Sequence, residues 1–342
     1  MNAPSPPPGL ARLKGAVRPV LVVAALVFLA IAVRDLARRW EPAELRLDPL
    51  WAVASVVPAL VAPLIQGVAW IRLIEHLSGR TVPAGAALEL YLDSQLARYT
   101  PGKVGLPAVR MAGAERLGVN ARLVGTSILV ELLSWLALGG AVGLGLVLLG
   151  APAPEGLLSF VGRMAGVLLA AAGVGVLLLL AVDRRRLPGA VRRVLLLEGS
   201  GPLVPVAVPL AHGLHWLAWA LHGGLLARAL GADAATAVTA GGVLSVAIVV
   251  GFVALFAPAG AGVREAVIGV GTAPLLGAPA AVALGVLARG ASLLSDVSVW
   301  LVARGVMRSR RRQVAAAPSK SVPLGDVAPS PRAPERVPGE LP

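Results

Sequence analysis

Cysteine is absent from the 342 residues, which removes any disulfide framework, thiolate nucleophile or cysteine-ligated metal from consideration. Charge is scarce at 14% of residues, where soluble domains carry roughly 25%. Aromatic residues are also few: two Tyr and four Phe against 40 Gly, which disfavours a lipid-facing β-barrel with its aromatic girdles and alternating strands. What fills the chain instead is apolar residue, 57% of the total with a mean hydropathy of +0.80. The excess is concentrated in long runs such as 19–33 and 157–182, so lipid is the solvent for most of this sequence. The expected fold class is all-α, a polytopic transmembrane helical bundle.

The net charge of +13 does not indicate nucleic-acid binding. Basic residues gather where apolar runs end: Arg12, Lys14 and Arg18; then Arg184, Arg185, Arg186, Arg192 and Arg193; then Arg304, Arg308, Arg310, Arg311 and Arg312. Short basic loops of this kind mark the cytoplasmic side of a membrane, and no base-stacking aromatics are interleaved with the arginines.

Membrane-spanning runs are expected near 18–36, 50–74, 120–150, 157–182, 203–230, 236–257, 265–288 and 290–306, about eight crossings of the ~20 residues a helix needs. Counting positive loops places both termini in the cytoplasm, with the connectors at 151–156 and 231–236, which lack Lys and Arg, outside. Segment 34–48 is less consistent, since its four arginines are mixed with four acids. The first run has a signal-peptide-like Ala30-Ile31-Ala32, but its length and the arginines that follow favour an uncleaved anchor. Residues 1–14 read as a disordered lead. Residues 313–342, with seven prolines and few large apolar side chains, read as a disordered cytoplasmic tail. The membrane domain is then 15–312.

One stretch resists a simple crossing. Within 83–119 lie Glu89, Asp93, Arg98, Lys103, Arg110, Glu115 and Arg116, and each charge at the bilayer centre costs roughly 2.5–3.5 kcal/mol. Apolar residues still recur there at helical spacing until Pro101-Gly102. A re-entrant hairpin around Pro101, an interfacial helix pair and an amphipathic cytoplasmic connector all fit this pattern. Irregular backbone at membrane depth requires protein or a wet cavity around it.

The break has an echo. Tyr99-Thr100-Pro101-Gly102-Lys103-Val104-Gly105 shares an aromatic-x-Pro-x-x-x-Gly frame with Phe256-Ala257-Pro258-Ala259-Gly260-Ala261-Gly262. Each copy has cations close by, Lys103 and Arg110 or Arg264. Each is followed by an intramembrane charge and a serine one turn on, Glu131 with Ser134 and Arg289 with Ser292. Duplicated halves with broken helices are a transporter pattern, and helix N-termini flanked by cations suit an anionic headgroup. Glu131 and Arg289 could pair directly. Asp296 could hold a cation, relay protons or pair with Arg289 or Arg304. Glu265 beside Arg264 reads as an acid/base or as a salt-bridged pair.

His212, His215 and His222 lack a carboxylate partner in their run, so interhelical hydrogen bonding is favoured over metal binding. Gly139 and Gly143 form a small-xxx-small pair for close helix contact. Nucleophile-elbow, zinc and P-loop signatures are missing, and no cofactor, metal or catalytic residue is expected.

The motifs from Tyr99 to Gly105 with Arg110, from Pro258 to Glu265, and Arg289 on a late helix resemble those of the lysylphosphatidylglycerol synthase transmembrane-region family, also called flippase-like membrane proteins. The resemblance spans roughly 15–310, and the first glycine of the second motif falls at Ala259 or Gly260. It implies a multi-helix bacterial inner-membrane protein, with some relatives translocating aminoacylated or glycosylated lipids. The implied partner is an anionic phospholipid or glycolipid headgroup. It would meet Arg98, Tyr99, Pro101, Gly102, Lys103, Gly105, Arg110, Glu131, Pro258, Gly260, Gly262, Arg264, Glu265 and Arg289. Two alternatives are a membrane subunit that scaffolds a glycosyltransferase or lipid-modifying enzyme, and intramembrane lipid chemistry.

Overall fold

The computed structural model describes Arg34, 46–99, 104–150, Gly175, 182–197, 200–254, Gly260 and 262–316. The runs expected at 18–36 and 157–182, the lead 1–14 and the tail beyond 316 therefore fall wholly or mainly outside the described residues, as do Pro101, Gly102, Lys103 and Pro258. Among the described residues the chain is helical, without strands: α1 (Pro49–Ser78), α2 (Ala84–Ala97), α3 (Gly105–Ala112), α4 (Ala121–Gly150), α5 (Gly189–Leu195), α6 (Ala207–Ala229), α7 (Ala234–Val253), α8 (Val263–Leu276) and α9 (Ala278–Ala316). Short 3-10 turns occupy Ala114–Leu117 and Arg184–Arg186. Compactness divides the chain at Arg304/Gly305, within α9, and every site considered below lies in the first unit.

Among the described residues, four helices are long and apolar enough to cross a membrane: α1, α4, α7 and the Ala278–Ser309 portion of α9. Helix α6 has 23 residues but is diluted by its three histidines. Local signals set the boundaries. Asp48 accepts the Leu50 N–H at 2.9 Å to open α1, which has Pro49 in its first turn and closes on Gly79 at φ 67°. Asp233 opens α7 by accepting from Thr236 N at 2.7 Å.

The last two runs are divided differently from the expected 265–288 and 290–306. The break falls at Gly277, whose φ of 80° and ψ of 154° suit glycine, with Pro279 two residues on. Helix α8 is consequently only about 21 Å long at 1.5 Å per residue, too short to span ~30 Å of hydrocarbon. Arg289 does not end a helix. It sits well inside α9, only 4% exposed.

Helices α4 and α7 meet backbone to backbone. A Cβ on Gly143 would stand 3.0 Å from the Gly242 carbonyl oxygen, and one on Gly242 would stand 2.6 Å from that of Gly143. Helices α1 and α6 pack extensively against each other. Pro63 cannot donate to the Ala59 carbonyl, and Ser295 of α9 replaces the lost bond at 2.6 Å. On the same face of α1, Ala62 O accepts from His215 Nδ1 and Ser55 O from His222 Nδ1, both at 2.9 Å. His212 Nδ1 lies 3.0 Å from Ser134 Oγ on α4. The histidines thus serve interhelical hydrogen bonding, each in a separate place.

Candidate functional site

Helix α2 is enclosed on every side from Leu90 to Ala97, which rules out an amphipathic surface connector. Two ion pairs strap it to α9. Arg98, in the turn after α2, donates to Asp296 at 2.5 Å, and Tyr99 OH donates to the same oxygen at 2.7 Å. Asp93 receives Arg304 at 2.9 Å and the Trp300 indole N–H at 2.9 Å. Asp296 therefore pairs with neither Arg289 nor Arg304. On one helix those residues lie seven and eight positions away, about 10–12 Å along the axis, too far for direct contact.

After the break, α3 carries Arg110 into the bundle. Its guanidinium lies between the Trp70 and Tyr91 rings, 4.8 and 4.4 Å from their centroids. One nitrogen pairs with Glu131 and another donates to Ser94 Oγ at 2.8 Å. The partner of Glu131 is thus Arg110 and not Arg289. Helix α3 places Arg110 beside α4, where both side chains are shielded from solvent.

Of the second motif the structure describes Gly260 and the residues from Gly262 on. Gly260, at φ 74°, lies so close to α7 that a Cβ would stand 2.7 Å from the Gly251 carbonyl oxygen. Gly262, at φ 80°, opens α8, and its N–H donates to Glu265 at 2.7 Å. The other oxygen of Glu265 is 3.8 Å from Arg289 Nε. Arg264 and Glu265, adjacent on one helix, point in different directions and form no hydrogen-bonded pair. Arg264 turns to α9, where it donates to Ser292 Oγ at 3.1 Å and to Ala288 O at 3.5 Å. The expected Arg264–Glu265 and Glu131–Arg289 pairs are replaced by Arg289–Glu265 and Arg110–Glu131.

Two hollows adjoin these groups. The smaller, about 60 Å³, is bordered by Arg98, Tyr99, Arg264, Arg289 and Ser292, with Trp135, Trp219, Ile248, Gly251 and Phe252 completing its wall. The larger, about 250 Å³, is mostly apolar. It is lined by Val104, Leu106, Pro107, Ile128 and Leu132, with Gln66, Gln95, Arg110 and Glu131 as its polar groups. Arg98, Trp135 and Phe252 line both. Of the residues singled out in the sequence, Arg98, Tyr99, Arg264 and Arg289 meet at the smaller hollow, and Arg110 and Glu131 at the larger. Gly105, Gly260, Gly262 and Glu265 shape the backbone turns beside them. Trp135 was not anticipated, although it follows Glu131 by one helical turn and so shares its face. Its indole N–H donates to His215 Nε2 at 3.0 Å, which fixes the ring orientation.

Four membrane-length apolar helices and a set of ion pairs enclosed between them define a multi-pass membrane-embedded protein. The model of the lysylphosphatidylglycerol synthase TM region matches residues 16–297. The chain belongs to that family, whose function is lipid-related. Among curated proteins, none matches it significantly.

Proposed function

We propose that this chain moves a phospholipid or glycolipid between the leaflets of a bacterial cytoplasmic membrane. In this reading the chain crosses the membrane several times, with both termini cytoplasmic and a membrane domain of 15–312. The breaks around Pro101 and Pro258 are re-entrant hairpins related by a weak internal repeat. Arg98, Arg264 and Arg289 receive the headgroup, and Lys103 and the backbone near both prolines line its route. Arg110 and Glu131 brace the wall of the larger hollow, where the hydrocarbon part of the lipid lies.

The observation that carries the reading is the convergence of both hairpin flanks on adjoining hollows, one bordered by buried arginines and the other mostly apolar. Charged groups are costly inside a membrane and face bundle interiors or water-filled cavities, which supports a polar route here. The test is leaflet exchange of labelled phosphatidylglycerol and a labelled glycolipid in proteoliposomes, read by an impermeant quencher. Wild-type protein should let quenching pass beyond the outer leaflet. Quenching confined to the outer leaflet for both lipids refutes translocation. If the inert chain then co-purifies with a glycosyltransferase through its arginine-rich 184–193 loop, a scaffolding role replaces it.

A further inference from the structure

Three guanidinium groups border the smaller hollow, and two of them have a carboxylate nearby. Arg98 is matched by Asp296, and Arg289 lies 3.8 Å from Glu265. Arg264 is different. Among the described residues it forms no ion pair, its hydrogen-bond partners are the neutral Ser292 and Ala288, and its Nε makes no hydrogen bond. It is nevertheless only 6% exposed. A buried cation without a counter-charge destabilises the fold that contains it, so a ligand that supplies the charge gains in affinity.

Resting on the translocation reading above, we propose that the smaller hollow is a subsite for one singly charged phosphate-diester oxyanion, held directly by Arg264. Among the described residues the surplus is one positive charge: three cations against two carboxylates. A phosphate diester matches it. A phosphate monoester, at roughly −1.5 to −2 near neutral pH, overcompensates, and an uncharged lipid leaves Arg264 unmatched. The guanidinium fork offers parallel N–H donors suited to two phosphate oxygens. The larger hollow supports the same assignment from the other side. Its ionic groups are already matched, Arg110 by Glu131 and Arg98 by Asp296, so it offers apolar wall for the glycerol and acyl portions.

The test uses the full chain purified in a maltoside detergent, with binding and thermal unfolding as readouts. The probes are dioctanoyl phosphatidylglycerol, dioctanoyl phosphatidic acid, dioctanoylglycerol, glycerophosphoglycerol and inorganic phosphate. Wild-type protein should bind phosphatidylglycerol best, with phosphatidic acid weaker and dioctanoylglycerol weaker still by at least about tenfold. Arg264→Gln should weaken phosphatidylglycerol binding roughly 10- to 100-fold, the range for losing a hydrogen bond to a charged group. The unliganded variant should melt no lower than wild type, because a merely structural arginine would be missed on unfolding and an uncompensated one would not.

Equal or tighter binding of phosphatidic acid overturns the single-charge assignment, and unchanged phosphatidylglycerol binding in Arg264→Gln overturns the site. If that variant does not fold, the wild-type ranking of the probes decides. Glycerophosphoglycerol binding as tightly as the lipid keeps the subsite but assigns it a soluble diester. Tight inorganic phosphate binding without diester preference refutes it. Phosphatidylglycerol that is held through Arg264 but never exchanged between leaflets refutes translocation alone. Exchange that is indifferent to Arg264→Gln refutes the subsite alone.

Discussion

Replacing Arg110 by Met tests whether α3 is braced against α4 by a buried ion pair. The Arg110 and Glu131 side chains are 1% and 5% exposed, so neither can turn to water once its partner is gone. Breaking such a pair from one side costs about 3–5 kcal/mol, and the stacking on Trp70 and Tyr91 adds roughly 0.5–2 kcal/mol more. Arg110→Met also loses the hydrogen bond to Ser94. Glu131→Leu leaves the guanidinium clamped between two rings with no counter-charge, and should be at least as damaging. The double variant, Arg110→Met with Glu131→Leu, removes both charges and keeps apolar volume, so it should lose less than either single change. At roughly 2–4 °C per kcal/mol for a domain of 150–250 residues, the broken ion pair alone should lower the melting of each single variant by some 6–20 °C. Thermal unfolding of the four proteins in one detergent gives the coupling energy directly. Losses that simply add in the double variant would refute the pairing.

Other changes report on separate parts of the bundle. Ser295→Ala strands the Ala59 carbonyl that Pro63 leaves without a partner; a loss of about 1–3 kcal/mol is expected, and Ser295→Thr should restore most of it. Gly143→Ile should disrupt the fold by pushing α4 off the α7 backbone, whereas Gly140→Ala, with nothing within 4 Å of the new Cβ, should be neutral or slightly stabilising in the same melt. Asp183 accepts hydrogen bonds from the backbone N–H groups of Arg185 at 2.8 Å and Gly201 at 3.3 Å, which hold its pKa below the ordinary 3.8. Its support of the 183–202 loop is therefore complete above pH 3.8 and is lost as pH falls through the lower folded value. Hydrogen exchange at those two amides should lose protection in that acid window in wild type, and the pH dependence should vanish in Asp183→Asn.

The helical membrane character was legible because it rests on composition and run length, which need no partner. The close contact at Gly143 was legible for the same reason, since a small-xxx-small pair has one economical use in a membrane helix. The charge partners were not. Glu131, Asp296 and Arg264 each bond across to another helix, and sequence spacing carries no information about which helix faces which. Proximity along the chain favoured Arg264 with Glu265 and Asp296 with Arg289, but adjacent positions on a helix diverge and positions two turns apart do not touch. The break at Gly277 had a local signal in Gly277-Ala278-Pro279. The apolar residues on both sides masked it, and the charge at Arg289 attracted the boundary instead. Intramembrane charges such as Arg110, Glu131, Arg264 and Arg289 could be singled out because charge is rare enough in apolar helices to point inward by itself.

Where a lipid phosphate sits is the most direct test of lipid translocation through these hollows. A density map of the full chain in nanodiscs containing phosphatidylglycerol should show a phosphate within hydrogen-bonding distance of the Arg264 guanidinium, with the rest of the lipid running into the hollow beside Arg110 and Glu131. An Arg264 side chain neutralised by a carboxylate of the protein itself, with no lipid between the hairpins, would contradict it.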